Sequence, residues 1–555
     1  MGKRTPIAEL VAVAGSFGPA SAAAKRRLLD EIVRGRPGSR RELAPLHEVL
    51  GFLRAYPDDA HVLRAVEAVI GALRGWFAAA GMEADAPPLA DTGLPGSVVR
   101  GEFSLPLLRR MNRALPGCVE IDWGSLEADE PLLNALGLLL TGSEGQGLDD
   151  IGIGTAEWFA ACRPASCPTD LAFLMELFDR SPLAAAARDV LFDSCGLTAR
   201  YSLAEPGTGR CEIAWPVERI HYQRKPLDRE WRSIAAAVRQ PLPAVRRLPA
   251  GEGERFVGFA QRTLAARGLE IRTLSYANAR DVSVARCGRG VDIALIGVVP
   301  EYRDPLESHY CSFVLQNGVP IGYGPSTVSL GCCEIGLNLF PEFRGAEVRF
   351  LYPQFTRVLH HVLGAQYFFL TPYGMGEDNP AAIRTGAFWF YRRLGFRPTN
   401  PEVECLAQDE EQRMTADPRH RSSAATLRRL SHTFVYLDLS GGACRPLDLG
   451  GIGMRQSRFL ARIEGGNRAR ALARCLRQVS RVLGRRKLRT LGAGERRAWE
   501  LWAPILAAIP DLARWGAREK GRIVEILRRK GSISELGVDR LLCAHERLRR
   551  ALQTL

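Results

Sequence analysis

The sequence lacks the features that mark several large classes of protein. No apolar stretch reaches the length of a transmembrane helix, so no membrane contact is expected. The thirteen cysteines form no C-x-x-C pair, and Cys162 and Cys167 have no histidine near them, so no metal site is expected. There is no fixed-period repeat and no low-complexity tract. An odd number of scattered cysteines suits a reducing compartment, which predicts a cytoplasmic location.

Lysine is scarce, since it accounts for 6 of the 75 basic residues, and the net charge is +14. Residues 455–489 hold twelve basic residues and one acid, so they supply +11 of that charge. Within this stretch the arginines at positions 470, 474, 477 and 481 fall on one face of a helix, and Leu472, Leu476, Val479 and Leu483 form the opposite, apolar stripe. Such a stripe of arginine is most often a solvated helix face, but it also permits nucleic-acid binding.

A chain of 555 residues is too long for one hydrophobic core, so several domains are expected. Apolar residues at helical spacing predict a mainly helical region over 1–200, and 201–244 is predicted as a connecting α/β segment. The apolar run Ile271 to Ser275 predicts a strand. Residues 401–555 are predicted to form a basic, mainly helical region.

The central stretch, 245–400, predicts an α/β domain. Asn317-Gly318 between two apolar runs is a strong hairpin signal. A strand over Ile335–Phe340 is followed by a loop and by a helix that begins near Val348 and ends at Gly364. A second strand follows over 366–371. Strand, helix and strand with short joints make a βαβ unit, so the predicted fold is a central mixed sheet with helices, flanked by mainly helical regions.

Two motifs in this stretch resemble the GNAT N-acetyltransferase superfamily. Arg344-Gly345-Ala346 stands where that family has its phosphate-binding turn, and the segment from Ala387 to Phe396 has the pattern A-x-x-x-Y-x-x-x-G-F of a later helix. In the family, free N–H groups at the helix N-terminus hold the pyrophosphate of acetyl-coenzyme A. The resemblance covers 245–400 and implies a GNAT-like sheet and an acyl transfer reaction.

The resemblance also implies roles for individual residues. Glu334 would take the proton from the acceptor amine, and Tyr391 would protonate the departing thiolate. The structural alternatives are an exposed glutamate at a strand end and a tyrosine in the aromatic block of a core helix. The residues expected to contact the coenzyme are Leu339, Phe340, Arg344, Gly345, Ala346, Arg349 and Asn379.

Three positions depart from the family pattern. Counted from Arg344, the family's loop glycine falls on Glu347, and its glycine or alanine falls on Arg349. A carboxylate beside a pyrophosphate is repulsive, so Glu347 must be held away by an arginine or by its own helix if coenzyme A binds. Asn379 lies 12 residues before Tyr391, further than the family's asparagine.

The resemblance therefore predicts transfer of an acetyl or related acyl group from a coenzyme A thioester to an amine of unknown identity. One alternative is a GNAT-like protein without catalytic activity that binds other proteins, or nucleic acid through 455–489. Another is a transferase that uses a different activated donor, such as an aminoacyl group.

Overall fold

The computed structural model describes residues 5–35, 40–79, 89–345, 347–485 and 488–555. The strands are β1 Val98–Glu102, β2 Val119–Ile121, β3 Thr198–Ser202, β4 Ala244–Arg247, β5 Ala277–Gly288, β6 Val291–Val298, β7 Ser308–Gln316, β8 Val319–Ser329, β9 Cys332–Ile335, β10 Asn338–Leu339, β11 Tyr367–Leu370, β12 Arg397–Pro398 and β13 Val435–Asp438.

Helices dominate the two ends of the chain. The helices before the large sheet are α1 Pro6–Val13, α2 Pro19–Gly35, α3 Arg40–Ala55, α4 Ala60–Ala79, α5 Leu105–Ala114, α6 Glu130–Leu139, α7 Gly142–Ile151, α8 Thr155–Cys162, α9 Asp170–Arg180, α10 Ala185–Ser194 and α11 Ile234–Val238. The helices associated with the sheet are α12 Ala250–Ala265, α13 Arg272–Ser275, α14 Val348–Val358, α15 Pro372–Met375, α16 Pro380–Thr385, α17 Ala387–Arg393, α18 Pro401–Ala416 and α19 Ala424–Ser431. The C-terminal helices are α20 Leu449–Arg462, α21 Arg468–Val482, α22 Ala493–Ala507, α23 Ala517–Lys530, α24 Val538–Ala544 and α25 Glu546–Thr554.

A ten-stranded mixed sheet forms the centre of the protein, so the α/β class with a central mixed sheet is confirmed. Its order is β12-β13-β11-β9-β8-β7-β6-β5-β4, and β10 pairs with β8. Every adjacent pair is antiparallel except β9 and β11. The predicted hairpin is present between β7 and β8, with Asn317 and Gly318 both at positive φ, as a two-residue turn requires.

The helix predicted to begin near Val348 does begin there, as α14, and it continues through a π-helical turn over Leu359–Leu363. Gly364, at φ 88°, ends it in the left-handed region. One strand prediction is wrong, because residues 272–275 form α13 and not a strand. There Gln261 donates to the Leu274 carbonyl and the Leu274 side chain is buried, so tertiary contacts with α12 select the helical turn.

Three hydrophobic cores lie along the chain. Helices α1 to α4 enclose one, and α20 to α25 enclose another, which also takes in Leu306 and Leu330 from the sheet region. The largest core runs from Ala55 to Val435, so it extends on both sides beyond 245–400. It includes a three-stranded sheet of order β1-β3-β2 inside the mainly helical N-terminal region, a sheet that sequence reasoning did not anticipate.

The apolar stripe predicted for the basic helix is partly wrong. In α21 the buried side chains include Ala471, Cys475 and Val479, whereas Leu472 is 37% exposed. The buried face is therefore rotated relative to the predicted stripe, of which Val479 and Leu483 are buried as expected. No helix in the described part of the chain is both long and apolar enough to cross a membrane.

Candidate functional site

Strand β9 changes its neighbours at Gly336 and Leu337. Over Cys332–Glu334 it pairs in parallel with β11 on one side, while its other side pairs with β8. Its continuation β10 stays in the same register on β8 but has no ladder to β11. The two parallel strands thus share three residue pairs, and β11 then ends at Leu370, before α15 begins at Pro372. β10 therefore has no strand beside it on that side among the described residues, and we call this unpaired edge of β10 the gap.

The loop between β10 and α14 is held by buried ion pairs. Glu342 accepts from Arg267 at 2.8 Å and from Arg210 at 3.1 Å, and the two guanidinium groups hold its pKa down at about 2. Arg267 also lies over the Phe340 ring, 3.9 Å from its centroid. The Glu342 and Phe340 side chains therefore anchor the loop that precedes the helix N-terminus to the end of α12 and to the segment after β3.

The predicted coenzyme-binding residues are distributed along this loop, and several have protein partners. The Leu339 carbonyl accepts from Arg344 Nε at 3.4 Å, and the Phe340 amide donates to Ile321. Gly345 has open space where a Cβ would stand. Ala346 lies outside the described residues.

Asn379 lies apart from this loop and has a structural role. Its Oδ1 accepts from the Ala382 amide at 3.2 Å as the N-cap of α16, and its Nδ2 donates to the Tyr373 carbonyl. Both ends of the amide side chain are therefore engaged in holding the loop after β11.

Glu347 is buried and turned away from the loop. It is 2% exposed, its Oε1 accepts from the Asp228 amide at 2.9 Å, and Arg289 lies 3.4 Å away. Arg289 also contacts Asp228 at 3.1 Å and lies over the Phe350 ring. The carboxylate that departs from the family pattern is thus neutralised by an arginine of the β5–β6 turn.

Residues 226–233, which we call the strap, cross the start of α14. Within the strap, the Trp231 ring lies 4.4 Å from the Arg349 guanidinium and 5.5 Å from that of Arg393, and it contacts Phe390 at 5.7 Å. Arg349 also donates to the Arg229 carbonyl. The strap therefore spans α14 and α17 and contacts an arginine on each.

A cavity of about 510 Å³ lies beside the strap and reaches Glu347. Its cationic lining residues are Arg224, Lys225, Arg232 and Arg289, and its acidic ones are Asp228, Glu230 and Glu347. Burial lowers the pKa of His221, which also lines the cavity, so its imidazole is neutral near pH 7. The lining has one more cation than anions, which slightly favours an anionic occupant.

Tyr391 lies on α17, in an aromatic cluster with α14. Its ring is 5.4 Å from that of Tyr352, 5.2 Å from Phe390 and 5.7 Å from Phe396. Burial raises the pKa of the Tyr391 phenol, so the group stays protonated over the physiological range. This arrangement is compatible with packing and also provides a proton donor.

Glu334 lies in a row of polar side chains that crosses the sheet. It is paired with Thr327 on β8, which is paired with His309 on β7. Paired residues point to the same face, so the three side chains stand together. Burial, and secondarily the Glu307 carboxylate, raise the pKa of Glu334, as a general base near neutral pH requires.

The two predicted catalytic residues lie on opposite faces of the sheet. His309 shares its face with Phe313, which packs against Phe256 and Phe259 of α12. Side chains alternate along a strand, so Glu334 shares the α12 face while its neighbour Cys333 points to the face covered by α14. Tyr391 packs beside α14. The two groups flank the sheet and do not touch.

Sequence reasoning missed the strap and the polar row. The strap falls within 201–244, which is predicted as a connecting segment. Its one signal in the sequence is a charged stretch, Asp228 to Arg232, that includes a tryptophan. The polar row includes His309, which follows acids at positions 304 and 307, but nothing near it in sequence indicates a catalytic triad. No family model, curated protein or solved structure matches this chain, so its function is argued from the site itself.

Proposed function

We propose that this protein is a GNAT-like acyltransferase that moves an acetyl or related acyl group from a coenzyme A thioester to an amine. The observation that carries the proposal is the edge of β10, which continues along β8 past the end of β11 without a described strand beside it, in the segment that leads to α14. The gap leaves main chain without a ladder partner where the family's donor arm runs, and the N-terminal end of a helix follows, where anions are favoured.

The side chains around the gap suit direct transfer in a ternary complex. Glu334, with its raised pKa, would draw the proton from the amine on one face. Tyr391, protonated on the other face, would give a proton to the departing thiolate. A thioester bound along the unpaired edge of β10 would lie between the two faces of the sheet, so the two groups need not touch each other.

The fit to coenzyme A depends on the strap. In the conformation described, Trp231 covers Arg349 and Arg393, and Glu347 is already paired with Arg289. With the strap displaced, Arg349 would be released from Trp231 and from the Arg229 carbonyl and would be free to meet the phosphates together with Arg344.

Calorimetric titration of the purified full chain with acetyl-coenzyme A tests the proposal. We expect saturable binding with one site per chain, followed by acetylation of at least one member of an amine panel. Absence of binding at millimolar acetyl-coenzyme A would exclude the proposal if it is found both in this chain and in Trp231→Ala, a variant expected to open the strap.

A second function, nucleic-acid binding, is favoured by the helices α20 and α21. All ten arginines described between residues 455 and 489 are exposed, and only Arg474 has a carboxylate partner among the described residues, Glu464 at 3.1 Å. Unpaired guanidinium groups on adjacent helices suit a phosphate backbone.

The salt dependence of binding to duplex DNA and to RNA tests this second function. Affinity should fall steeply with salt, with a slope of about 0.9 per duplex phosphate neutralised. Replacing Arg470, Arg474, Arg477 and Arg481 with serine should reduce that slope. Arginines 419, 421, 428 and 429, which lie outside this surface, provide a matched control set.

A further inference from the structure

Three potential metal ligands converge at the start of β7. Asp304, Glu307 and His309 each offer one ligand atom, and these atoms all lie within 4.8 Å of one another. His309 Nε2 is 2.9 Å from Asp304 Oδ2 and 4.0 Å from Glu307 Oε2. The described part of the chain contains no second group of this kind.

The imidazole of His309 is oriented by its other nitrogen. Nδ1 lies 3.0 Å from Thr327 Oγ1, so the ring is fixed with Nε2 directed at the two carboxylates. Metal-ligating histidines are held in this way, through a hydrogen bond at the nitrogen that does not bind the metal. The contact also places the ring in the same polar row as Glu334.

The loop that carries the two acids is fixed to the body of the protein. Arg303 is 3% exposed and donates to the carbonyls of Val298, Lys530, Ser532 and Ile533. Lys530 in turn donates to the Glu307 carbonyl. Asp304 and Glu307 therefore project from rigid backbone, which a preorganised site requires.

Charges of both signs surround the cluster. His309 contacts Asp304 at 2.9 Å, Arg272 lines the cavity beside Asp304, and the Lys530 ammonium is paired with Glu535 at 2.7 Å. A bound cation would replace the contact between His309 and Asp304 with bonds from both groups to the metal, and would offset the repulsion between the Asp304 and Glu307 carboxylates.

A cavity of about 560 Å³ opens beside the cluster and is lined by Asp304 and His309. Its other walls come from α10, from α13 and from Arg497 of α22. A metal ion at the cluster would thus have coordination positions that face a space large enough for a small ligand, as metal sites that bind substrates do.

We propose that Asp304, Glu307 and His309 bind a divalent transition-metal ion whose remaining coordination positions face this cavity. Adjacent ligand atoms on such an ion, at bond lengths of about 2.1 Å, lie roughly 3.0–3.4 Å apart. The Asp304–His309 distance of 2.9 Å already fits, whereas Glu307, 4.0 Å from His309 and within 4.8 Å of Asp304, needs a side-chain shift of roughly 1–1.5 Å. One imidazole with two carboxylates suits manganese, iron or zinc better than calcium or magnesium.

Mn²⁺ is the probe, because the thirteen cysteines would also take up Zn²⁺. Loss of the electron paramagnetic resonance signal of free Mn²⁺ on addition of the full chain gives stoichiometry and affinity. We expect one Mn²⁺ per chain, with binding abolished in His309→Ala and in Glu307→Gln. Thr327→Val, which removes only the orienting contact, should weaken binding on the order of 10–100-fold.

The matched control is His432→Ala. His432 forms a histidine–carboxylate pair with Glu377 at 2.9 Å on the surface, without a second acid. Circular dichroism checks that each variant folds. Retention of the Mn²⁺ site in His432→Ala, together with its loss in His309→Ala, supports the proposal. Absence of binding at millimolar Mn²⁺, or binding unchanged in His309→Ala, would mean that the cluster is a histidine ion-pair network and overturns it.

Discussion

Replacing Trp231 with alanine should raise the affinity for coenzyme A, because the strap covers the place where its phosphates would bind. Trp231 is 36% exposed and contacts two guanidinium groups and the Phe390 ring. At such partly exposed positions each cation–π contact contributes about 0.5 kcal/mol, and the aromatic pair about 1 kcal/mol. The closed strap would therefore lose about 2 kcal/mol.

That free energy converts directly into affinity when the strap must open before coenzyme binds. The apparent dissociation constant equals the intrinsic one divided by the fraction of open molecules. A loss of about 2 kcal/mol raises a small open fraction roughly 30-fold, so the apparent dissociation constant should fall by a similar factor. Calorimetry with coenzyme A measures it, and hydrogen exchange of the amides of residues 226–233 measures the opening.

Trp76→Ala is the matched control, since Trp76 is a half-buried tryptophan on α4 and is not part of the strap. It should leave coenzyme affinity unchanged. If Trp231→Ala opens the strap by hydrogen exchange and yet binds coenzyme A no better, the ligand does not compete with the strap. If it binds more weakly, Trp231 belongs to the binding surface.

Three further predictions concern single side chains. Tyr391→Phe should lower turnover by roughly 10²–10⁴-fold with little change in donor affinity, and unchanged turnover would leave Tyr391 with a packing role only. The wild-type rate should rise with pH through an apparent pKa above the usual glutamate range, because the pKa of Glu334 is raised, and Glu334→Gln should remove that limb of the profile. Burial raises the pKa of Asp539 to about 6, so the native state keeps a proton that the unfolded chain releases near pH 4. The Asp539 contribution should therefore reduce the free energy of unfolding by about 2 kcal/mol as pH rises from 4 to 6, a loss that Asp539→Asn, measured by urea unfolding at both pH values, should abolish.

Much of the local structure within residues 245–400 could be predicted from the sequence, because the patterns that indicate it are short-range. Asn317-Gly318 fixes a hairpin by its own backbone preferences, and Gly364 ends a helix for the same reason. The run 271–275 was misread because a short apolar run fits a strand or a helical turn equally well, and only the contact from Gln261 decides between them.

The candidate site was less predictable, because its decisive contacts join residues far apart in sequence. Glu347 was expected to need an arginine, but nothing local indicates that Arg289 supplies it. The polar row likewise depends on register across β7, β8 and β9, which fixes which side chains share a face. The role of the strap could not be predicted from its sequence, because that role depends on the helices that it lies across, α14 and α17.

The strap also bears on how an acyltransferase of this kind would be controlled. Trp231 lies against both Arg349 and Arg393, and Asp228 holds Arg289, which in turn neutralises Glu347. Movement of residues 226–233 would therefore uncover the start of α14 and, in the same step, release Arg349 and Arg393 from the Trp231 ring. The same movement would free Glu347 from the Asp228 amide. The gain in affinity for an anionic donor therefore depends on Arg289 keeping its contact with Glu347. Because an anionic donor is repelled by that carboxylate and attracted by the released arginines, opening favours binding only while the Arg289–Glu347 pair stays closed.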